Sequence, residues 1–157
     1  MSEARTTGRA ERPLVRPLAA RDKDAWRALF DAYIAFYRAE VADAVIEATW
    51  ERMLALSHGM TGLVAVDGGD RPIGLAHLVF HVSTWSPTTY CYLEDLYVAP
   101  EHQGRGAGHA LVEATYREAE ARAAKRVYWV TEEDNQAARR LYDTLGRRMH
   151  YVQYRRE

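Results

Sequence analysis

Apolar positions repeat with two different periods along this chain, and each change of period marks an element. Trp26, Leu29, Phe30, Tyr33, Ile34 and Tyr37 fall at the i, i+3, i+4, i+7 spacing of one buried helical stripe, with Asp22 placed to cap it. Val45, Ile46, Trp50, Met53 and Leu54 mark a second helix over 43–56. Residues 62–67 and 72–82 are nearly continuous apolar runs on either side of Gly68-Gly-Asp-Arg71, and they read as a β-hairpin. A turn-forming link, Ser83 to Thr89, leads into YCYLEDLYV at 90–98, rich in the aromatic and β-branched residues of a half-buried strand. Pro100 stops that strand. Helical spacing resumes at Ala107 and runs to about Ala124, with Leu111 and Ala114 on one face.

The remainder alternates in the same way. Val127–Thr131 is a compact strand and 132–134 a polar turn. Asn135 caps a helix whose stripe is Ala138, Leu141, Tyr142 and Leu145, and Gly146 closes it at the expected C′ position. Met149–Arg155 reads as a final strand, and Leu14–Leu18 as a first one, kept at an edge by Pro17. The order βααβββαβαβ, without internal repeat or linker, predicts one α/β domain with a mixed sheet and helices on both faces.

Composition narrows the setting. At 157 residues the chain suits one domain. Residues 1–12 are polar and read as a disordered lead, leaving 13–157 as the folded unit. A formal net charge of −1 provides no field to recruit nucleic acid or an acidic membrane. No apolar run is long enough to span a bilayer and the N-terminus lacks an apolar signal segment. The lone Cys91 rules out an internal disulfide, and the expected compartment is the cytoplasm. His77 and His81 share one strand face, but no third ligand accompanies them, so no metal site is expected.

The chemistry concentrates in Tyr92-Leu-Glu-Asp-Leu-Tyr-Val-Ala-Pro-Glu-His-Gln-Gly-Arg-Gly-Ala-Gly-His109, a strand, a proline-broken turn, a glycine loop and a helix start. A helix start carries unpaired N–H groups and the positive dipole end, and glycines let that backbone approach an anion. The spacing of Gly104, Gly106 and Gly108 excludes a dinucleotide fingerprint, and the absence of Gly-Lys-Ser/Thr excludes a nucleotide P-loop. Gln103-Gly-Arg-Gly-Ala-Gly108 instead resembles the Gln/Arg-x-x-Gly-x-Gly/Ala pyrophosphate loop of the GNAT superfamily of acetyl-CoA-dependent N-acetyltransferases. VYWVTEEDNQAARRLYD at 127–143 is similar to the yeast-type histone and polyamine acetyltransferase branch. The YLEDLYV strand resembles the spermidine/spermine acetyltransferases. The likeness covers essentially everything after residue 13.

That resemblance implies a mixed sheet of about seven strands in which the parallel strands 90–98 and 127–131 splay apart to admit acetyl-CoA. The main chain of Leu96, Tyr97 and Val98 would hold the pantetheine arm, and Asn135 would bond it from the other side. N–H groups from Gln103, Gly104, Arg105, Gly106, Ala107, Gly108 and His109 would hold the pyrophosphate. Glu94 matches the family's water-mediated base. Strict alternation would put Asp95 on the opposite face, but family strands carry a bulge here, so either carboxylate reaches the groove. Tyr142 matches the tyrosine that protonates the departing thiolate.

The implied activity is acetyl transfer to a primary amine without metal or redox cofactor. A small or polyamine-like acceptor is favoured over protein lysine. The alternative is a non-catalytic acyl-CoA-binding module or sensor, against which the presence of both Glu94 and Tyr142 argues. A homodimer through the final strand, with Tyr151 and Tyr154, is also expected.

Overall fold

A computed structural model describes residues 12–157, so all but the last residue of the expected disordered lead lies outside the described residues. Five strands form one sheet in the order β1-β2-β3-β4-β5: β1 Leu14–Pro17, β2 Met60–Val66, β3 Pro72–Ser83, β4 Ser86–Val98 and β5 Val127–Tyr128. The first four pair antiparallel, and β4 pairs with β5 in parallel. Helices α1 (Lys23–Phe36) and α2 (Asp43–Leu54) cover one face. Helix α3 (Ala107–Ala121) packs on the other, where the partly buried Tyr142 and Leu145 of α4 (Gln136–Leu145) join it.

Each cluster follows from the patterns that predict it. Trp26, Leu29 and Phe30 of α1 and Ile46, Trp50 and Met53 of α2 pack with Leu75 on one side of the sheet. Leu111, Val112 and Ala114 of α3 pack with Ala76, Leu78 and Leu93 on the other. Leu75 and Ala76 serve opposite clusters because successive side chains of a strand point to opposite faces.

Three expectations are corrected. The described residues form five strands rather than seven. Residues 146–157 form no strand, and Tyr151 and Tyr154 stand 79% and 92% exposed, so the aromatic alternation there finds no neighbour to pair with. Asp22 sits at the head of α1 but does not cap it. Its carboxylate accepts from the Ala19 N–H at 2.8 Å and from both Nη atoms of Arg16, at 2.7 and 2.9 Å. The strongest available donor wins the buried carboxylate. Among the described residues no helix is long and apolar enough to cross a membrane.

Candidate active site

β4 runs on for six residues after Tyr92, whereas β5 ends at Tyr128. The only paired positions are Cys91 with Val127 and Tyr92 with Tyr128. Beyond them β5 has ended, and among the described residues the β4 edge that carries Leu96, Tyr97 and Val98 has no sheet partner on that side. Such an edge presents main-chain donors and acceptors to any extended ligand.

A bulge lies at the head of that open edge. His77 pairs with Asp95 and Leu78 with Leu93, which leaves Glu94 as the extra residue. Leu93 and Leu96 both face the α3 side, so Glu94 and Asp95, between them, share the α1 side. Two neighbouring carboxylates therefore line one groove, which strict alternation forbids. The groove, of about 490 Å³, is walled by Phe30, Tyr33, Ile34, Tyr37 and Met60.

The two acids are held differently. Trp26 Nε1–H donates to His77 Nε2 at 2.8 Å, which places the imidazole proton on Nδ1, and that N–H donates to Asp95 Oδ2 at 2.8 Å. Tyr33 lies against Asp95 as well, and its phenol is pushed up first by burial and then by that carboxylate. Glu94 makes no side-chain hydrogen bond among the described residues and opens to the groove. Loss of solvation along the walls raises its pKa, the Asp95 charge adds to the rise, and His77 opposes it.

The sequence pattern alone assigns His77 no role. Its signal was its place within an apolar strand run, where a polar group must find partners. His81 is likewise engaged, accepting from the Tyr128 hydroxyl at 2.6 Å while its Nδ1–H donates to the Val82 carbonyl. Among the described residues no group of three His, Cys, Asp or Glu side chains is arranged to hold a metal.

The glycine loop follows β4 through a 3-10 turn at Pro100–His102. Gly104 and Gly106 adopt φ of +76° and +88°, left-handed values that suit glycine. Gly106 is the N-cap of α3, and the first N–H to find a carbonyl within that helix is that of Ala110, bonded to Gly106. The N–H groups of Ala107, Gly108 and His109 thus have no acceptor within the helix. A methyl group on Gly108 would lie 3.1 Å from Leu141 Cδ2, so this glycine also lets α4 approach the helix start.

Gln103 is placed differently from its neighbours. Its N–H bonds the Pro100 carbonyl at 3.3 Å and its side-chain amide donates to the Val98 carbonyl at 3.0 Å, bracing the loop against the strand. Arg105 is exposed. The His109 ring meets Arg12 Nη1 at 3.0 Å.

Across the gap, Asn135 caps α4 by accepting from the Ala138 N–H at 3.3 Å, and its amide donates to Thr131 Oγ1. Tyr142, about two turns on, packs edge-on against Trp129 with centroids 5.4 Å apart. Burial, with a smaller effect of Tyr37, pushes its pKa up to about 12, so the phenol keeps its proton. Gly146 ends α4 with φ of −145°, an extended value, and not in the left-handed form expected of a C′ glycine. A methyl group there would meet Trp129 Cη2 at 2.8 Å, so this glycine makes room for the indole that supports Tyr142.

A profile of the acetyltransferase (GNAT) family matches residues 26–146, which include most of α1, the bulge, the glycine loop and α4. The chain belongs to that family. It is 30% identical over 148 residues to the D-amino-acid N-acetyltransferase HPA3 of Saccharomyces cerevisiae, covering 93% of this chain and 91% of that protein. It is 32% identical over 136 residues to the uncharacterized N-acetyltransferase YhfO of Bacillus subtilis, covering 84% and 87%. In fold it is similar to AAC(6')-Iy in complex with the bisubstrate analogue CoA-S-monomethyl-acetylneamine, with a TM-score of 0.79 at 18% identity over 94% of this chain and 99% of that one. The chain is thus an acyltransferase, and acetyl-CoA is the acetyl donor that its family uses.

Proposed function

We propose that this enzyme transfers the acetyl group of acetyl-CoA directly to the primary amine of a small molecule. The observation that carries the reading is the bulge, which brings Glu94 and Asp95 together in a groove at the point where β4 and β5 part. The residues present suit acetyl-CoA. N–H groups of the Gly104–His109 loop bind the pyrophosphate with Gln103 as their brace, and the open edge at Leu96, Tyr97 and Val98 bonds the pantetheine arm opposite Asn135.

An alkylammonium, with a pKa of ~10.4, must lose its proton before it can attack. Glu94 takes that proton through water, since its raised pKa and open oxygens make it the better acceptor of the pair. The amine lone pair then forms a C–N bond at the thioester carbonyl, and a main-chain N–H of β4 receives the oxyanion. As the C–S bond breaks, Tyr142 gives its proton to the departing thiolate. A groove of about 490 Å³ walled by Phe30, Ile34 and Met60 favours a small acceptor over protein lysine. The exposed tail aromatics Tyr151 and Tyr154 support a homodimer, for which mass in solution is the measurement.

Free-thiol release from acetyl-CoA in the presence of small amines and of a lysine peptide tests this reading. Turnover is expected on small amines. Binding of acetyl-CoA without thiol release on any acceptor would overturn it.

A further inference from the structure

The acceptor groove has a charge asymmetry that acetyl transfer alone does not require. Its only charged lining residues are Glu94 and Asp95, chain neighbours on the bulge, and no lysine or arginine among the described residues lines it. The remaining walls are largely apolar or aromatic, with Phe30, Ile34, Val41, Met60 and Val79 among them. Nor can Asp95 swing away easily. Its Oδ2 is bonded to a histidine that is 2% exposed and is itself fixed by the Trp26 indole.

We propose that the acceptor is a hydrophobic primary monoamine: one ammonium on an apolar body, without a carboxylate beside the amine and without a second ammonium. This rests on the N-acetyltransferase reading of the same groove. A single ammonium meets both carboxylates and the phenol rings of Tyr33 and Tyr37, beside which a cation is more readily held than an anion. A carboxylate on the next carbon would be carried toward Glu94 and Asp95, among walls that supply no cation to neutralise it. A second ammonium would be stranded against Phe30, Ile34 or Met60, losing its hydration with nothing in return. The cavity is of a size that encloses small organic ligands, so an aryl or alkyl body is accommodated. The class lies within the small amines expected from the sequence and excludes the polyamine-like ones. It also differs from what the yeast relative's name states of that protein, an enzyme of D-amino acids.

The test compares kcat/KM by thiol release, at saturating acetyl-CoA, for matched amines on the full chain. Phenylethylamine is set against D- and L-phenylalanine and phenylalaninamide, and hexylamine against cadaverine. Phenylethylamine is expected to exceed both phenylalanine enantiomers by at least about a hundredfold, a separation within reach of like-charge repulsion in a desolvated site. Phenylalaninamide, similar in size but without the negative charge, should recover most of that loss. Hexylamine should exceed cadaverine by at least about tenfold. Asp95→Asn should narrow the gap between phenylethylamine and phenylalanine while raising KM for the former.

Equal or better turnover of either phenylalanine enantiomer or of cadaverine would overturn the proposal. So would a phenylalaninamide as poor as the acid, which would assign the discrimination to shape. An unchanged gap in Asp95→Asn would remove Asp95 from it. Acetyl-CoA binding by calorimetry with no thiol release on any amine would instead overturn the enzyme reading beneath it.

Discussion

The indole N–H of Trp26 is bonded to Nε2 of His77 at 2.8 Å, and through that ring it sets the position of Asp95. A helix residue thus orients a strand carboxylate by way of a buried histidine. His77→Phe puts a somewhat larger apolar ring in the same place and leaves two polar groups without partners, at about 1–3 kcal/mol each. The variant should lose about 2–6 kcal/mol in urea unfolding at an unchanged m-value. Its KM for the amine should rise by more than its kcat falls, because Asp95 loses its anchor while Glu94 keeps its place. A fall in kcat with KM unchanged would put His77 in the chemistry instead.

Tyr142→Phe removes one oxygen from a ring that keeps its contact with Trp129. With the phenol pushed up to about 12, its proton is present throughout the working pH range, so no alkaline limb of the rate belongs to it below that value. The variant should lose a factor of about 10²–10⁴ in kcat, the usual worth of a positioned acid. Acetyl-CoA affinity by calorimetry should be unaltered. Equal losses in rate and affinity would mean that Tyr142 binds the coenzyme and does not protonate its sulfur.

How far these features can be read from the sequence depends on how local their causes are. The α1 stripe, the β2–β3 hairpin, the Asn135 cap and the glycine loop each depend on residues a few positions apart, and each is found where the pattern places it. The final strand is not, because alternation at Met149–Arg155 states a preference for extended backbone but cannot supply a pairing partner. The shared face of Glu94 and Asp95 depends on the cross-strand register at His77 and Leu78, which YLED does not contain. Gly146 is required by Trp129, seventeen positions earlier, and not by a left-handed turn. Asp22 looks like a cap until Arg16 is seen to claim it.

That ion pair has a pH signature. Hydrogen bonds from the Arg16 guanidinium hold the Asp22 carboxyl below its ordinary range. A depressed folded-state pKa stabilises the fold above the unfolded value, ~3.9, and the contribution is lost as pH falls through the folded one. Asp22→Asn should therefore flatten the acid side of the stability curve. At neutral pH it should cost about 1.5–3 kcal/mol, since Arg16 loses the charge of its bidentate partner but keeps its 2.7 Å bond to Asp70 Oδ1. Unfolding midpoints between neutral pH and acid, for both forms, measure this. Parallel curves would show that Asp22 contributes no linkage.

Glu94 works in the opposite sense. Desolvation and the neighbouring Asp95 raise its pKa above the ordinary carboxylate value, so the folded protein holds this proton more tightly than the unfolded chain does. Ionising it costs the fold stability as pH rises through the interval between the two values, and that loss persists above it. Catalysis needs the ionised form, so kcat should rise with pH along a limb set by the raised Glu94 value. Glu94→Gln should abolish that limb and lower kcat by about 10²–10⁴, while leaving stability at neutral pH equal or higher. A residue that aids rate at the expense of stability belongs to a site and not to a scaffold. If Glu94→Gln instead lowers both stability and rate and keeps the acid limb, the base is Asp95, and Glu94 only fills the bulge.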